Sequence, residues 1–418
     1  MRVLWVKAGG VVPADSGGRI RSLHILKELA REHSITVFTY YAEHFGDQHH
    51  ELNALADVIA VPIALPARRA SRDYLLYART LFSSEPQSTQ LIGGESGGRL
   101  RYFDTADIRR RLNSLTAGGN FDALICDFIY PASLIDWTLP GAKILFTHNV
   151  EADLWKQQFD TARSPVKKFL YWKEWRALRD AELRYAREAD HVVTVSEQNR
   201  AFFSKYVHPD RVSAISTGVD IDFFQPSDYT PSHSMVFTGS MDWLPNQQGI
   251  LFFASQILPR VRAEVPDADL WIVGRYPSPE IQRLEGPRIH VTGRVDDIRP
   301  FLESASVYIV PLRSGSGTRI KIFEAMAMGK AVVSTSLGAE GLPVTHGKNI
   351  LIADHPREFA GAVVRVLRDR ELAEGLGRAA RALVEKQFTW KTAGAQFEAI
   401  LQNAVCGVPN SVTARKTA

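Results

Sequence analysis

The chain has 418 residues, 45% of them hydrophobic and 23% charged, with a formal net charge of +4. That length can bury two ordinary domain cores, and the small net charge speaks against a polyanion partner such as nucleic acid. Two cysteines, Cys126 and Cys406, exclude a disulfide framework and lack metal-ligand spacing. The start lacks the apolar core of a signal peptide and no run of 18 apolar residues occurs, so a cytoplasmic chain is expected.

Val3–Val6 reads as a first strand, Lys7–Arg19 as a glycine-rich loop, and Ile20, Leu23, Leu26 and Leu29 as one face of a helix. Ile35–Thr39 is the next strand. This βαβ opening predicts a doubly wound α/β sheet whose ligands sit at the carboxyl ends of the strands. Gly17 and Gly18 leave room for a phosphate at the helix start, although the spacing is not G-x-G-x-x-G. Residues 66–84 mix Arg with Leu, Tyr and Phe, a composition that suits either an anionic membrane surface or a surface helix with a buried face. Gly93–Gly98 is a glycine loop without the Lys-Ser/Thr of a P-loop.

Ala123–Ile129 and Ala142–Thr147 read as two more buried strands. The second delivers His148 and Asn149 at its end, where an imidazole can donate to a phosphate or sugar oxygen or move a proton. Lys167–Asp190 is read as a long helix packed on the sheet and solvated outside, in preference to one facing lipid headgroups. His191–Ser196 is another strand, and a domain boundary is expected across about 205–230. Asp220 and Asp222 have D-x-D spacing but fall in this linker, where no metal is expected.

The second half alternates in the same way. Met235–Thr238, Asp269–Val273 and Ile289–Thr292 are strands that end at Gly239-Ser240, Gly274-Arg275 and Gly293-Arg294. Val307–Leu312 then leads into Gly315–Gly329, a glycine turn followed by a helix capped at Thr318 and stopped at Gly329. Free amides at such a helix start favour an anion. Arg319 and Lys321 in its first turn oppose the macrodipole, so a bound phosphate explains them better than local helix stability does. Glu324 lies on the same face as Lys321 and can accept hydrogen bonds from ribose or sugar hydroxyls.

Gly317–Thr335 resembles the donor-site signature of glycosyltransferase family 4, with its Glu-Ala-Met-Ala core in the matching strand–loop–helix context. Further matches fall in order at Gly17-Gly18, Thr147-His148-Asn149, Val195–Glu197, Thr217–Asp220, Phe237–Gly239 and Val291–Arg294. The resemblance covers nearly the whole chain and is nearest to the branch acting in bacterial exopolysaccharide assembly. It implies a GT-B fold: an acceptor-side Rossmann-like domain over 1–205 and a nucleotide-sugar domain over 206–387, facing a cleft. A last helix over about 388–404 would cross back to the first domain, and 405–418 would be a disordered tail.

The resemblance implies a role for each matching residue. Glu324 would hold the ribose hydroxyls, the backbone at Arg294 and Val295 would read the base, and His148 would approach the donor sugar. Gly17 and Gly18 would admit the diphosphate, with Gly239, Ser240, Ser316, Gly317 and Thr318 lining the donor. No metal or other cofactor is expected, because helix amides and basic side chains stabilise the charge. Asp127, at a strand end, is a candidate acceptor contact. Two departures stand out. The family's E-x7-E has Ser316 in place of its first Glu. Ser240 with Gln247 or Gln248 replaces the basic pair many members carry after the Gly239 strand, so Arg319 and Lys321 are expected to supply that charge.

The implied activity is retaining transfer of a hexosyl group from a nucleoside-diphosphate sugar, uridine favoured over guanosine. The acceptor would be a sugar or lipid-linked sugar hydroxyl in polysaccharide or glycolipid assembly, with peripheral contact to an anionic inner membrane face. A nucleotide-sugar epimerase of the same fold and a catalytically lapsed binding protein are the alternatives.

Overall fold

The computed structural model describes residues 1–14, 16–42, 49–63, 106–118, 121–227, 232–315 and 320–407. The expected membrane stretch 66–84, the loop 93–98, and Ser316, Gly317, Thr318 and Arg319 lie outside the described residues. The chain divides into two compact units, Met1–Ile215 with the segment from Ala393 onward, and Ser216–Thr392.

The first unit is built on a seven-stranded parallel sheet: β1 (Arg2–Ala8), β2 (Ser34–Ala42), β3 (Asp57–Ile63), β4 (Ala123–Asp127), β5 (Ala142–Phe146), β6 (His191–Thr194) and β7 (Val212–Ala214). Their order is β3-β2-β1-β4-β5-β6-β7. Val3, Leu4, Trp5 and Val6 are wholly buried, as expected of a parallel strand covered on both faces. The order reverses between β1 and β4, whose strand ends therefore open a crevice. Lys7 and Asp127 are register partners at that point. β3, not anticipated from the sequence, is an edge strand, the place where its Pro62 is tolerated.

The second unit carries a six-stranded parallel sheet: β8 (Ser234–Thr238), β9 (Asp269–Val273), β10 (Ile289–Gly293), β11 (Val307–Val310), β12 (Ala331–Ser334) and β13 (Leu351–Ile352). The order is β10-β9-β8-β11-β12-β13, so the reversal lies between β8 and β11. The helix Ile320–Ala327 fills the β11-to-β12 crossover, burying Ile322, Phe323, Ala325, Met326 and Ala327. It stops as expected at Gly329, whose φ is +67°. The Lys330 amide bonds Ala325 O and the Gly329 amide bonds Met326 O, both at 3.0 Å, which is a Schellman closure.

The division between units falls after Ile215, inside the expected 205–230 stretch but past the end given to the first domain at 205. β7 pairs with β6 and so draws residues 206–215 into the first unit. The last helix runs Trp390–Gly407, so Val405–Gly407 end a helix where a disordered tail was expected. Its later turns belong to the first unit, where Phe397 stacks on Trp5 at 6.2 Å and meets Phe146 edge-on at 5.1 Å. No helix among the described residues is long and apolar enough to cross a membrane.

Candidate functional site

In the first unit the β1/β4 crevice closes over a buried charge cluster. The Asp127 carboxylate is fully buried; Trp5 Nε1 donates to its Oδ2 at 3.0 Å and Lys7 Nζ lies 3.0 Å from the same oxygen. His148 Nε2 is 2.8 Å from Oδ1. Burial alone would raise the Asp127 pKa, but Lys7 and His148 outweigh it and hold the carboxyl below its ordinary range. Burial pushes His148 down to about 4, so the ring is neutral near pH 7. An ionised carboxylate only accepts, so Nε2 carries the proton and Nδ1 keeps its lone pair. Nδ1 lies on the Gly18 side, 3.7 Å from where a Cβ on Gly18 would sit. That Cβ would also meet the Phe128 ring at 2.5 Å, so only glycine lets the helix Gly17–Leu29 start there.

Phe128 stacks flat on His148, 3.9 Å between centroids and 2° between planes, and reaches it from a left-handed backbone at φ 69°. A bulky residue rarely holds that conformation, and here it fixes the imidazole's face. Behind the His148–Asn149 turn sit two buried carboxylates. Glu182 accepts from the amides of Glu151 (2.7 Å) and Ala152 (3.3 Å), capping the helix Glu151–Thr161 from a neighbouring helix. Glu151 accepts from Tyr130 Oη at 2.9 Å and from Asn149 Nδ2 at 3.4 Å. Burial raises the pKa of both.

In the second unit the three adjacent strands β10, β9 and β8 end in Gly293, Gly274 and Gly239. A side chain on Gly274 would run into the Gly239 carbonyl, so these glycines keep the strand ends low. Lys321 brings its Nζ over this floor. The ammonium donates to Asn246 Oδ1 at 2.8 Å, sits 4.2 Å above the Phe237 ring, and lies 2.7 Å from where a Gly239 Cβ would be. Arg275 Nε donates to Ser240 Oγ at 3.1 Å on the neighbouring strand end. One turn beyond Lys321, burial raises Glu324 to about 7 against the opposing pull of Lys321. No hydrogen bond or ion pair to the Glu324 carboxylate is present among the described residues.

Residues 232–369 match the family model described as glycosyl transferases group 1. Over that stretch, about a third of the chain, it resembles the group 1 glycosyltransferases. A protein of the Klebsiella pneumoniae cps region is 25% identical over 267 residues, 61% of this chain and 68% of that one. A phosphatidyl-myo-inositol mannosyltransferase of Mycolicibacterium smegmatis is 28% identical over 217 residues, but the match spans only 55% of its length and 49% of this chain. Two solved structures share the GT-B fold along nearly the whole chain. Sucrose-phosphate synthase from Thermosynechococcus elongatus has TM-score 0.70 at 17% identity, over 97% of this chain and 99% of that one. Anabaena HepE in complex with UDP and glucose has TM-score 0.66 at 14% identity, over 96% and 99%.

Within this chain the expected site residues form two groups, one in each unit. Gly17, Gly18, His148 and Asp127 converge in the first; Gly239, Ser240, Lys321 and Glu324 converge in the second, with Arg294 and Val295 following the end of edge strand β10. Two expectations are corrected. Asp127 is fully buried and already shared by three partners, so it anchors His148 and is not an acceptor contact. His148 has committed its one proton to Asp127, so it accepts a hydrogen bond and does not donate to a phosphate.

The sequence reading missed Lys7, Glu182 and Asn246, and it noted Arg275 only as a strand-end residue. Lys7 closing a fully apolar strand was a signal, as was Glu182 in phase with Trp175, Leu178 and Tyr185 on a packed helix face. Asn246 carried no such mark.

Proposed function

We propose that the protein is a glycosyltransferase that moves a hexosyl group from a nucleoside-diphosphate sugar, uridine ahead of guanosine, to an acceptor hydroxyl with retention and without a metal. The observation that carries the reading is the Lys321 ammonium set over the glycine floor of β8, at the entrance to the Glu324 helix. A diphosphate there meets a fixed cation, and Glu324, otherwise unpartnered, accepts the ribose hydroxyls. His148, neutral with Nδ1 as its acceptor, takes a hydrogen bond from a sugar hydroxyl.

In the transfer, the bond from the anomeric carbon to the phosphate oxygen breaks and its electron pair leaves with the nucleoside diphosphate. Lys321 neutralises that developing charge. The acceptor oxygen bonds the same face of the anomeric carbon, and its proton passes to the departing phosphate oxygen. The UDP named with the Anabaena structure supports the uridine preference. The phosphatidyl-myo-inositol named with the mycobacterial relative supports a lipid-linked acceptor, and with it the proposed work at the inner face of the cell membrane. The family match gives no support to an epimerase.

The test is a thermal-stabilisation panel of uridine- and guanosine-diphosphate sugars, followed by turnover with an acceptor and an NMR assignment of the product's anomer. At about a hundred times Kd the right donor raises Tm by about 5 °C. Lys321→Ala weakens nucleoside-diphosphate binding by about 1.5–3 kcal/mol, the scale of a charge-assisted bond. Donor turned over to an epimer without acceptor, an inverted product, or unchanged affinity in Lys321→Ala would overturn the reading. Donor binding with no transfer to any acceptor would favour the lapsed binding protein suggested by Ser316.

A further inference from the structure

We infer that the first three turns of the helix Pro165–Glu188 present the surface by which the first unit lies on an anionic lipid bilayer. Val166, Phe169 and Trp172 follow one another at three-residue spacing on this helix and are 68%, 49% and 41% exposed. Phe169 and Trp172 stack on each other at 6.0 Å. The same helix packs inward by other residues: Tyr171 on Trp155 at 5.9 Å and Trp175 on Phe159 at 6.0 Å. The outer stripe is therefore surplus to the fold, since the core is served by the opposite face.

The charges around the stripe name its partner. Arg163, Lys167 and Arg176 are exposed beside it, Lys168 leans over the Phe159 ring at 5.1 Å, the Lys173 ammonium is buried, and the first turn holds no acidic residue. Cations at a helix start oppose the macrodipole, so helix stability does not account for Lys167 and Lys168. None of the five is ion-paired among the described residues. Helix cations elsewhere have carboxylates one turn away, as Arg111 with Asp107, Arg200 with Glu197 and Arg381 with Glu385. Unpaired cations flanking exposed Trp and Phe fit a headgroup layer above an acyl boundary. A second copy of this chain would bring the same cations face to face and repel. The inference deepens the lipid-linked acceptor reading by naming the partner surface. It is measured without donor or acceptor, so failure of one is distinguishable from failure of the other.

The experiment is sedimentation of the full chain with phosphatidylcholine vesicles, with and without phosphatidylglycerol. Binding that needs phosphatidylglycerol and weakens with salt is expected. Lys167→Glu with Lys168→Glu, and separately Phe169→Ser with Trp172→Ser, should each lower vesicle affinity tenfold or more while leaving Tm and nucleoside-diphosphate binding unchanged. Arg68→Glu with Arg69→Glu and Arg72→Glu serves as the comparison in the other basic-aromatic stretch. Equal binding to neutral vesicles, or a loss confined to the comparison variant, would overturn the assignment. So would a concentration-dependent dimer in sedimentation velocity that Phe169→Ser abolishes, or capture of an acidic protein in place of vesicles.

Discussion

At the scale of single residues, the second unit stores an unusual carboxyl. Glu324 is raised to about 7 by burial, against an unfolded value near 4.5. Between those values the folded chain holds a proton that the unfolded chain has released, so stability falls as pH rises through that window. Above it both states are ionised and the loss is complete. Glu324→Gln removes this dependence. The variant should match the wild type below pH 4.5 and exceed it in Tm above pH 7. Ribose hydroxyls donating to the carboxylate favour its ionised form, so donor binding to the wild type should release a proton and strengthen as pH rises through 7. Calorimetry of nucleoside-diphosphate binding in two buffers of different ionisation enthalpy reads that proton directly. Parallel stability curves for variant and wild type, with no proton released, would mean that Glu324 is neither strained nor a donor contact.

At the scale of elements, the strands were legible because parallel strands buried on both faces are continuous apolar runs, as at Val3–Val6 and Val307–Val310. The helix at Glu324 was legible from its apolar phase and from Gly329, whose left-handed backbone makes its stop. What escaped was short or at an edge. β7 has three residues and β13 two, too few for a pattern, and missing β7 ended the first domain at 205, the early limit of the expected 205–230 boundary. Buried charge also escaped: Lys7 and Asp127 each look like an ordinary strand-end polar residue, and only the sheet register makes them partners.

One packing device of this scale sets where Lys321 and Glu324 stand. The helix Arg370–Gln387 approaches the Gly329 stop so closely at Gly377 that a methyl group there would run into the Gly329 carbonyl. Gly377→Ala should therefore push the two helices apart and cost about 1–3 kcal/mol by overpacking. Because Gly329 ends the Glu324 helix, the same variant should weaken nucleoside-diphosphate binding although Gly377 touches no expected donor group. Urea unfolding and calorimetry on one preparation measure both effects. Stability lost with affinity intact would show that the helix keeps its position without this contact.

At the scale of the whole molecule, two successive rounds of strand and helix already announced two doubly wound units, and the last helix ties the chain's end to its beginning. That helix starts in the second unit, with Trp390 against Gly218, and its later turns lie on the first. There Phe397 is fully buried between Trp5 and Phe146, and His33 Nε2 meets Glu398 Oε2. Trp5 in turn donates to Asp127, so the aromatic sandwich lies directly behind the His148 cluster. Phe397→Ala should leave a cavity there and cost about 3–5 kcal/mol. The loss belongs to the first unit, since every contact named is inside it. Hydrogen exchange should then quicken at amides of β1, β4 and β5 and stay unchanged at β8, β9 and β11. Equal quickening in both sheets would mean that the two units unfold as one and that the last helix couples them; no change in either would mean that the helix end contributes nothing to the first core.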